Sequence, residues 1–224
     1  MSEPTRLRAP GVALWDLPTR IFHWSMVVLI LVAWFSAEQN MQIHKWAGYG
    51  LLGLLVFRLW WGVAGGSTAR FASFLTGPRA TLSYLKTVGE RSPSHSAGHN
   101  PLGAWSVVAM IAVMLALTVL GLFAADIDGI ESGPLTYLVS FETSRLCAEL
   151  HELLFRVLQG LVVMHLLAVA YYWAWKRQNL IGAMISGKSA FAAAPLRRGR
   201  LWSLLVGLVL AVGVVWAAAK GLRF

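Results

Sequence analysis

His151-Glu152-Leu153-Leu154-Phe155-Arg156-Val157-Leu158-Gln159-Gly160-Leu161-Val162-Val163-Met164-His165-Leu166-Leu167-Ala168-Val169-Ala170-Tyr171-Tyr172-Trp173-Ala174-Trp175 is the run that decides the fold. A helix needs about 20 predominantly apolar residues to cross a hydrocarbon core of about 30 Å. This run is longer than that, and its only formal charges are Glu152 and Arg156 near its start. With no water in the hydrocarbon, backbone polar groups must be satisfied within the segment, which dictates a helix. His151 and His165 stand fourteen residues apart. That separation is about 21 Å along a helix, with a rotation that returns to within roughly 40° of the same face. One helix therefore offers two imidazoles on one face, one toward each side of a membrane.

Four further runs have similar character: Ile21 to Ala37, His44 to Val63, Pro101 to Ala125, and Leu201 to Ala219. Asn100 with Pro101 behind it reads as an N-cap followed by proline at the first helical position. Of the 224 residues, 57% are hydrophobic and 13% charged, against about 25% charged in soluble domains. The sequence predicts an all-α, polytopic transmembrane helical bundle. The net charge of +9 sits between the apolar runs, so it indicates membrane topology and no nucleic-acid partner. Cys147 is the only cysteine. It excludes an intrachain disulfide, a thiolate zinc cluster, an iron–sulfur centre and, without C-x-x-C-H, covalent haem. Residues 2–20 lack the apolar region of a signal peptide, so the first run is expected to be an uncleaved span.

Lys and Arg set the orientation. With the N-terminus inside, 14 of them fall on the cytoplasmic side and 4 outside. This predicts a bacterial inner-membrane protein with its N-terminus in the cytoplasm and its C-terminus in the periplasm. The segment between the third and fourth spans is then a periplasmic acidic loop, with Asp126, Asp128, Glu131, Glu142 and Glu149. Such a surface would steer a basic protein.

Ionisable residues within spans are costly and point to function. His23, His44, His151 and His165 lie at or within spans. A lone span-edge histidine can simply be an interfacial anchor, but the depths of these four match in pairs. His44 and His151 fall on the periplasmic side, His23 and His165 toward the cytoplasm. A b-type haem takes two axial imidazoles from opposite sides of its ring, whereas zinc or copper wants ligands clustered around one point. The four are therefore expected to hold the iron of two non-covalent haem b groups stacked along the membrane normal. A metal or solute transporter using the same histidines is the reading from another class.

The stretch Trp15-Asp16-Leu17-Pro18-Thr19-Arg20-Ile21-Phe22-His23-Trp24 resembles the start of the bacterial cytochrome b561 family. That family includes the cytochrome b subunits of nickel–iron hydrogenases. His44-Lys45-Trp46-Ala47-Gly48-Tyr49, Gly98-His99-Asn100-Pro101-Leu102-Gly103, His151-Glu152-Leu153-Leu154-Phe155, and His165 with the aromatics after it and Asn179-Leu180 are similar too. The resemblance covers residues 13–188 and places the family's ligand positions on the same four histidines. It implies a four-helix di-haem core, residues 1–188, followed by a C-terminal loop and fifth transmembrane helix, residues 189–224. It also implies an electron-transfer subunit linking a periplasmic redox protein, the haems and the membrane quinone. Within the same fold, the chain could instead oxidise a small species such as superoxide at the periplasmic haem and reduce quinone.

Arg20, Arg58 and Arg79 flank the cytoplasmic haem position. They suit pairing with haem propionates, or serve only the positive-inside distribution. His99 is expected to pack within its loop in preference to touching quinone or propionate, and His95 to be solvated. Arg156 follows Glu152 by four residues, as in an i,i+4 ion pair.

Overall fold

The structure is a computed structural model that describes residues 11–91, 98–190 and 196–223. His95, Arg6 and Arg8 lie outside the described residues. Among the described residues, five helices are long and apolar enough to cross a membrane: α1 (Leu17–Ser36), α2 (Met41–Ala64), α5 (Pro101–Phe123), α6 (Phe141–Ala174) and α8 (Leu201–Ala219). Three short helices lie between them, α3 (Phe71–Phe74), α4 (Pro78–Thr87) and α7 (Leu180–Ser186). A two-residue antiparallel pairing joins β1 (Val12–Ala13) to β2 (Lys188–Ser189). The chain is a multi-pass membrane protein. The side on which α1 begins is called the near side below; the side on which α2 begins is the far side.

Short polar side chains start the spans. Asp16 accepts a hydrogen bond from Thr19 N at 2.9 Å, Asn40 from Ile43 N at 3.0 Å, and Asn100 from Gly103 N at 2.8 Å. Each satisfies an orphan N–H of its helix and contributes about 1 kcal/mol. Ser140 does the same for α6 through Thr143 N, and this shifts a boundary. The fourth span was expected from His151, yet the helix begins at Phe141 and runs for 34 residues. Glu142 and Glu149, which read as loop residues, stand on its first three turns. At 1.5 Å per residue the helix is about 51 Å long, well beyond a ~30 Å core. The cap, not the onset of hydrophobicity, sets the start.

α1 and α2 form one antiparallel pair and α5 and α6 another, with α2 also packed on α5. Met26, Leu51, Leu55, Ile111, Met114, Leu117 and Leu158 form the core between them. Leu158 lies seven residues from both His151 and His165. Leu51 lies seven residues from both His44 and Arg58. A seven-residue step keeps one face of a helix, so a dry aliphatic layer separates the polar groups of the two sides. Outward-facing chains such as Val28, Leu167 and Val209 are more than half exposed, as lipid contact requires.

The polar segment between α2 and α5 is more ordered than its composition suggests. α4 packs on α5, and the turn after α4 lies against the near-side end of α6, where Tyr171 Oη donates to Val88 O at 2.7 Å and Lys176 Nζ to Glu90 O at 3.1 Å. The Tyr84 and Tyr172 hydroxyls are hydrogen-bonded, and Asn100 Nδ2 donates to Tyr172 Oη at 2.8 Å. These long-range partners leave no local periodic signal.

α8 packs along α2 by close approach. Gly207 sits where a Cβ would come 2.7 Å from Trp60 Cδ1. Ser203, only 1% exposed, donates to Ala64 O at 2.8 Å, and Trp60 Nε1 donates to Ser203 O at 2.7 Å. Small residues and a few polar ties are how helices associate in lipid. Beyond α8, Tyr137 Oη donates to Gly221 O and the Arg223 guanidinium stands 4.0 Å over the Tyr137 ring. The end of the chain is thereby fixed to the far-side loop.

Candidate functional site: two facing pairs of histidines

The bundle brings the four span histidines together in two pairs. On the far side His44 of α2 faces His151 of α6, with ring centroids 6.0 Å apart at 70°. Toward the near side His23 of α1 faces His165 of α6 at 6.5 Å and 49°. α6 contributes to both pairs, as its fourteen-residue spacing demands.

The far-side pair is oriented by backbone. His44 Nδ1–H donates to Ala33 O in α1 at 2.8 Å, and His151 Nδ1–H donates to Leu117 O in α5 at 2.8 Å. A carbonyl can only accept, so both imidazoles carry their proton on Nδ1 and present Nε2 as a lone pair, the form that ligates metals. Gly121 lets α5 come this close: a Cβ there would lie 3.1 Å from His151 Cε1. In the near-side pair His23 stands edge-on to Trp24 at 5.0 Å, and its Nδ1, sealed from solvent, has no hydrogen-bond partner among the described residues.

The donor set tests which group these pairs fit. A metal between two imidazoles, with bonds of about 2 Å and roughly 1.1 Å more to each ring centre, separates the centroids by about 6.2 Å. The observed 6.0 and 6.5 Å bracket this value. Among the described residues no three His, Cys, Asp or Glu side chains converge on one point. Two nitrogens per centre suit an iron whose other four ligands belong to a macrocycle. Gly48, one turn after His44, has nothing within 4 Å of where its Cβ would be, so the His44 face of α2 has room for a flat group. The residues fit haem.

Three arginines were candidates for the propionates. Arg20 is half-buried and donates to the carbonyls of Met184 and Ile185, tying α1 to α7. Arg79 is exposed on α4. Arg58 is 3% exposed, lies 4.7 Å over the Phe71 ring, and has an Nη1 without a hydrogen-bond partner among the described residues. The nearby carboxylate of Asp16 is occupied elsewhere, by Thr19 N at 2.9 Å and Trp61 Nε1 at 3.1 Å. Sequence reading missed this buried Asp16–Trp61 contact; the capping pattern Asp16-x-x-Thr19 was its only local trace. His99 packs between the rings of Trp15 and Phe74, 4.8 and 4.6 Å away. Its imidazole is pushed down to about 3, first by burial and then by the charge of Arg58, so it is neutral at physiological pH. Arg156 pairs with Glu152 on an exposed face, the i,i+4 contact its spacing predicts.

Membrane-length helices carrying facing imidazole pairs are the architecture of a membrane-embedded b-type cytochrome. The model of the prokaryotic cytochrome b561 family matches residues 14–187, and the chain belongs to that family, whose members are haem b proteins of electron transfer. A probable Ni/Fe-hydrogenase B-type cytochrome subunit of Rhizobium leguminosarum bv. viciae is 28% identical over 215 residues, covering 81% of this chain and 90% of the relative. No solved structure matches the chain. The family match ends before α8 begins.

Proposed function

We propose that the chain is a di-haem relay in a bacterial inner membrane, passing electrons between a membrane quinone and a periplasmic redox protein. The observation that carries this reading is the presence of two histidine pairs at two depths, both reached by α6. In this reading His44 and His151 hold a haem on the periplasmic, far side, and His23 and His165 hold one toward the cytoplasm. Bound haem supplies a one-electron couple at each level. The chain supplies the rest. Backbone carbonyls of Ala33 and Leu117 fix the far-side imidazoles, and the Leu51–Leu158 layer keeps water and ions out between the levels. Arg58 offers a charge to a propionate; Arg20, with donors already on α7, offers at most its remaining N–H. Residues 1–188 act as the di-haem unit, and residues 189–224 add a helix that clasps it. The relative's description as a hydrogenase subunit supports a partner that is itself a redox enzyme.

A pyridine haemochrome assay of the purified protein tests the reading. Two haem b per chain are expected; one or none would refute it.

Two further outcomes follow from the proposed orientation. Gly221 and Arg223 are tied to Tyr137 of the far-side loop, so a fluorescent reporter that folds only in the cytoplasm, fused after Phe224, should stay dark. Fluorescence comparable to an amino-terminal fusion would reverse the orientation. On the same side Asp128, Glu131, Glu142 and Glu149 are exposed, with Lys45 paired to Glu131 at 2.7 Å. Electron exchange with a basic partner should therefore slow by roughly tenfold or more between low and physiological salt. A rate indifferent to ionic strength would remove the acidic surface from docking.

A further inference from the structure

Gly98-His99-Asn100-Pro101 has no part in the relay as described above, although the fold takes care to place it. Gly98 has φ +125°, a conformation open to glycine and strained for other residues. Asn100 caps α5 and donates to Tyr172. Between them the backbone of His99 is held on both sides, and its ring is clamped by Trp15 and Phe74. Such positioning serves a side chain with a partner, yet His99 Nδ1 is sealed from solvent and has no hydrogen-bond partner among the described residues.

Its surroundings share this property. Six sealed side-chain polar atoms lack partners among the described residues, and Thr19 Oγ1, His23 Nδ1, Arg58 Nη1, Thr76 Oγ1 and His99 Nδ1 belong to the near-side half of the bundle. Buried polar groups in folded proteins are rarely left unpaired, so each of these calls for a partner. Two facts identify its chemistry. Arg58 brings a full positive charge that no carboxylate contacts within 4 Å among the described residues. One group of rings carries both residues: Arg58 lies 4.7 Å over Phe71, Phe71 packs 5.8 Å from Phe74, and Phe74 packs 4.6 Å from His99. Arg58 also stands fourteen residues after His44 on α2, the separation between the two histidines of α6, and so reaches the level of the His23–His165 pair.

We propose that Arg58 and His99 form a two-donor seat for a carboxylate at the near-side level, and that the carboxylate is a propionate of the haem held by His23 and His165. Arg58 supplies the charge and an N–H, and the imidazole of His99 supplies a second N–H. This rests on the haem reading above. It adds to that reading a residue that is no iron ligand, and it assigns a function to the Gly98–Pro101 segment. A quinone oxygen is the other acceptor that two such donors could serve, and the test separates them.

The test uses full-length protein purified with its haems. The near-side haem is identified as the one missing from His165→Ala, and its midpoint potential is measured in Arg58→Gln, His99→Phe and His99→Gln. Losing the cation favours the oxidised, more positive iron, so Arg58→Gln is expected to lower the potential by about tenfold in the redox equilibrium, 59 mV for one electron. His99→Phe lowers it by less, and His99→Gln, which keeps an N–H, restores it toward the parent value. In redox-difference infrared spectra of protein carrying carboxyl-13C-propionate haem, the labelled carboxylate band moves in His99→Phe. If Arg58→Gln does not accumulate, the two His99 variants and the labelled band decide alone. An unmoved potential and an unmoved band in haem-replete His99→Phe would overturn the seat and leave the di-haem reading standing. A raised KM for a water-soluble quinone with both unmoved would likewise overturn it, in favour of the quinone oxygen. Parent protein without haem b would overturn both readings.

Discussion

His165→Ala is expected to leave one haem b per chain of the two proposed for the parent protein, and His23→Ala to give the same residual spectrum and potential. The two residues sit on different helices, far apart in sequence, and only their facing rings, 6.5 Å apart, link them. His44→Ala and His151→Ala should form the second matching couple, losing the other haem. No third His, Cys, Asp or Glu converges on either pair among the described residues. Loss should therefore be close to complete. Haem content and redox titration of the four purified variants provide the measurement. If His23→Ala matched His151→Ala instead, the pairing by depth would be wrong.

The second large effect concerns α8. Gly207→Leu places a branched chain where even a Cβ would lie 2.7 Å from Trp60 and 3.1 Å from Phe57. Overpacking of this kind costs about 1–3 kcal/mol. Displacing the helix also strains the Ser203–Ala64 and Trp60–Ser203 bonds, each contributing roughly 1 kcal/mol. A loss of about 2 kcal/mol shifts an equilibrium roughly thirtyfold, enough to detach one helix held by small-residue contact. Gly53 and Val215 touch across the interface, with a Cβ at Gly53 3.1 Å from Val215. Disulfide formation between Gly53→Cys and Val215→Cys, in a Cys147→Ser background, should be nearly quantitative and should collapse when Gly207→Leu is added. Haem content should remain two per chain throughout. Haem lost together with the crosslink would mean that α8 is part of the haem-binding unit and not an addition to it.

Much of this architecture was legible in the sequence because lipid imposes a coarse code. Span lengths, the absence of a barrel and the matched depths of the histidines all follow from counting residues against bilayer thickness. The fifth span, Leu201 to Ala219, is observed with the bounds its hydropathy predicts. The Glu152–Arg156 pair was legible for the same reason, since both partners lie within one turn of one helix. What escaped depends on distant partners. The start of α6 is set by Ser140, and the charges of its first turns were read as loop because they were not apolar. The docking of the turn after α4 rests on Tyr171, Trp175 and Lys176 reaching backbone carbonyls more than eighty residues away in sequence. Arg58 was legible as a cation in a span. The lack of a direct ion pair with Asp16 was not, because Asp16 is turned to Thr19 and Trp61.

The supports of the far-side pair are carbonyl oxygens, those of Ala33 and Leu117. Every residue has a carbonyl, so side-chain identity at these two positions is nearly unconstrained by that task, and a substitution scan should find them quiet. The constraint falls on the path of the chain. Anything that bends α1 or α5 at these turns, proline above all, would swing the acceptor away and release the ring. Disabling variants would then map to places with no chemistry of their own. In a lineage of related chains the two positions could drift through any apolar residue while the curvature of the helices stayed fixed.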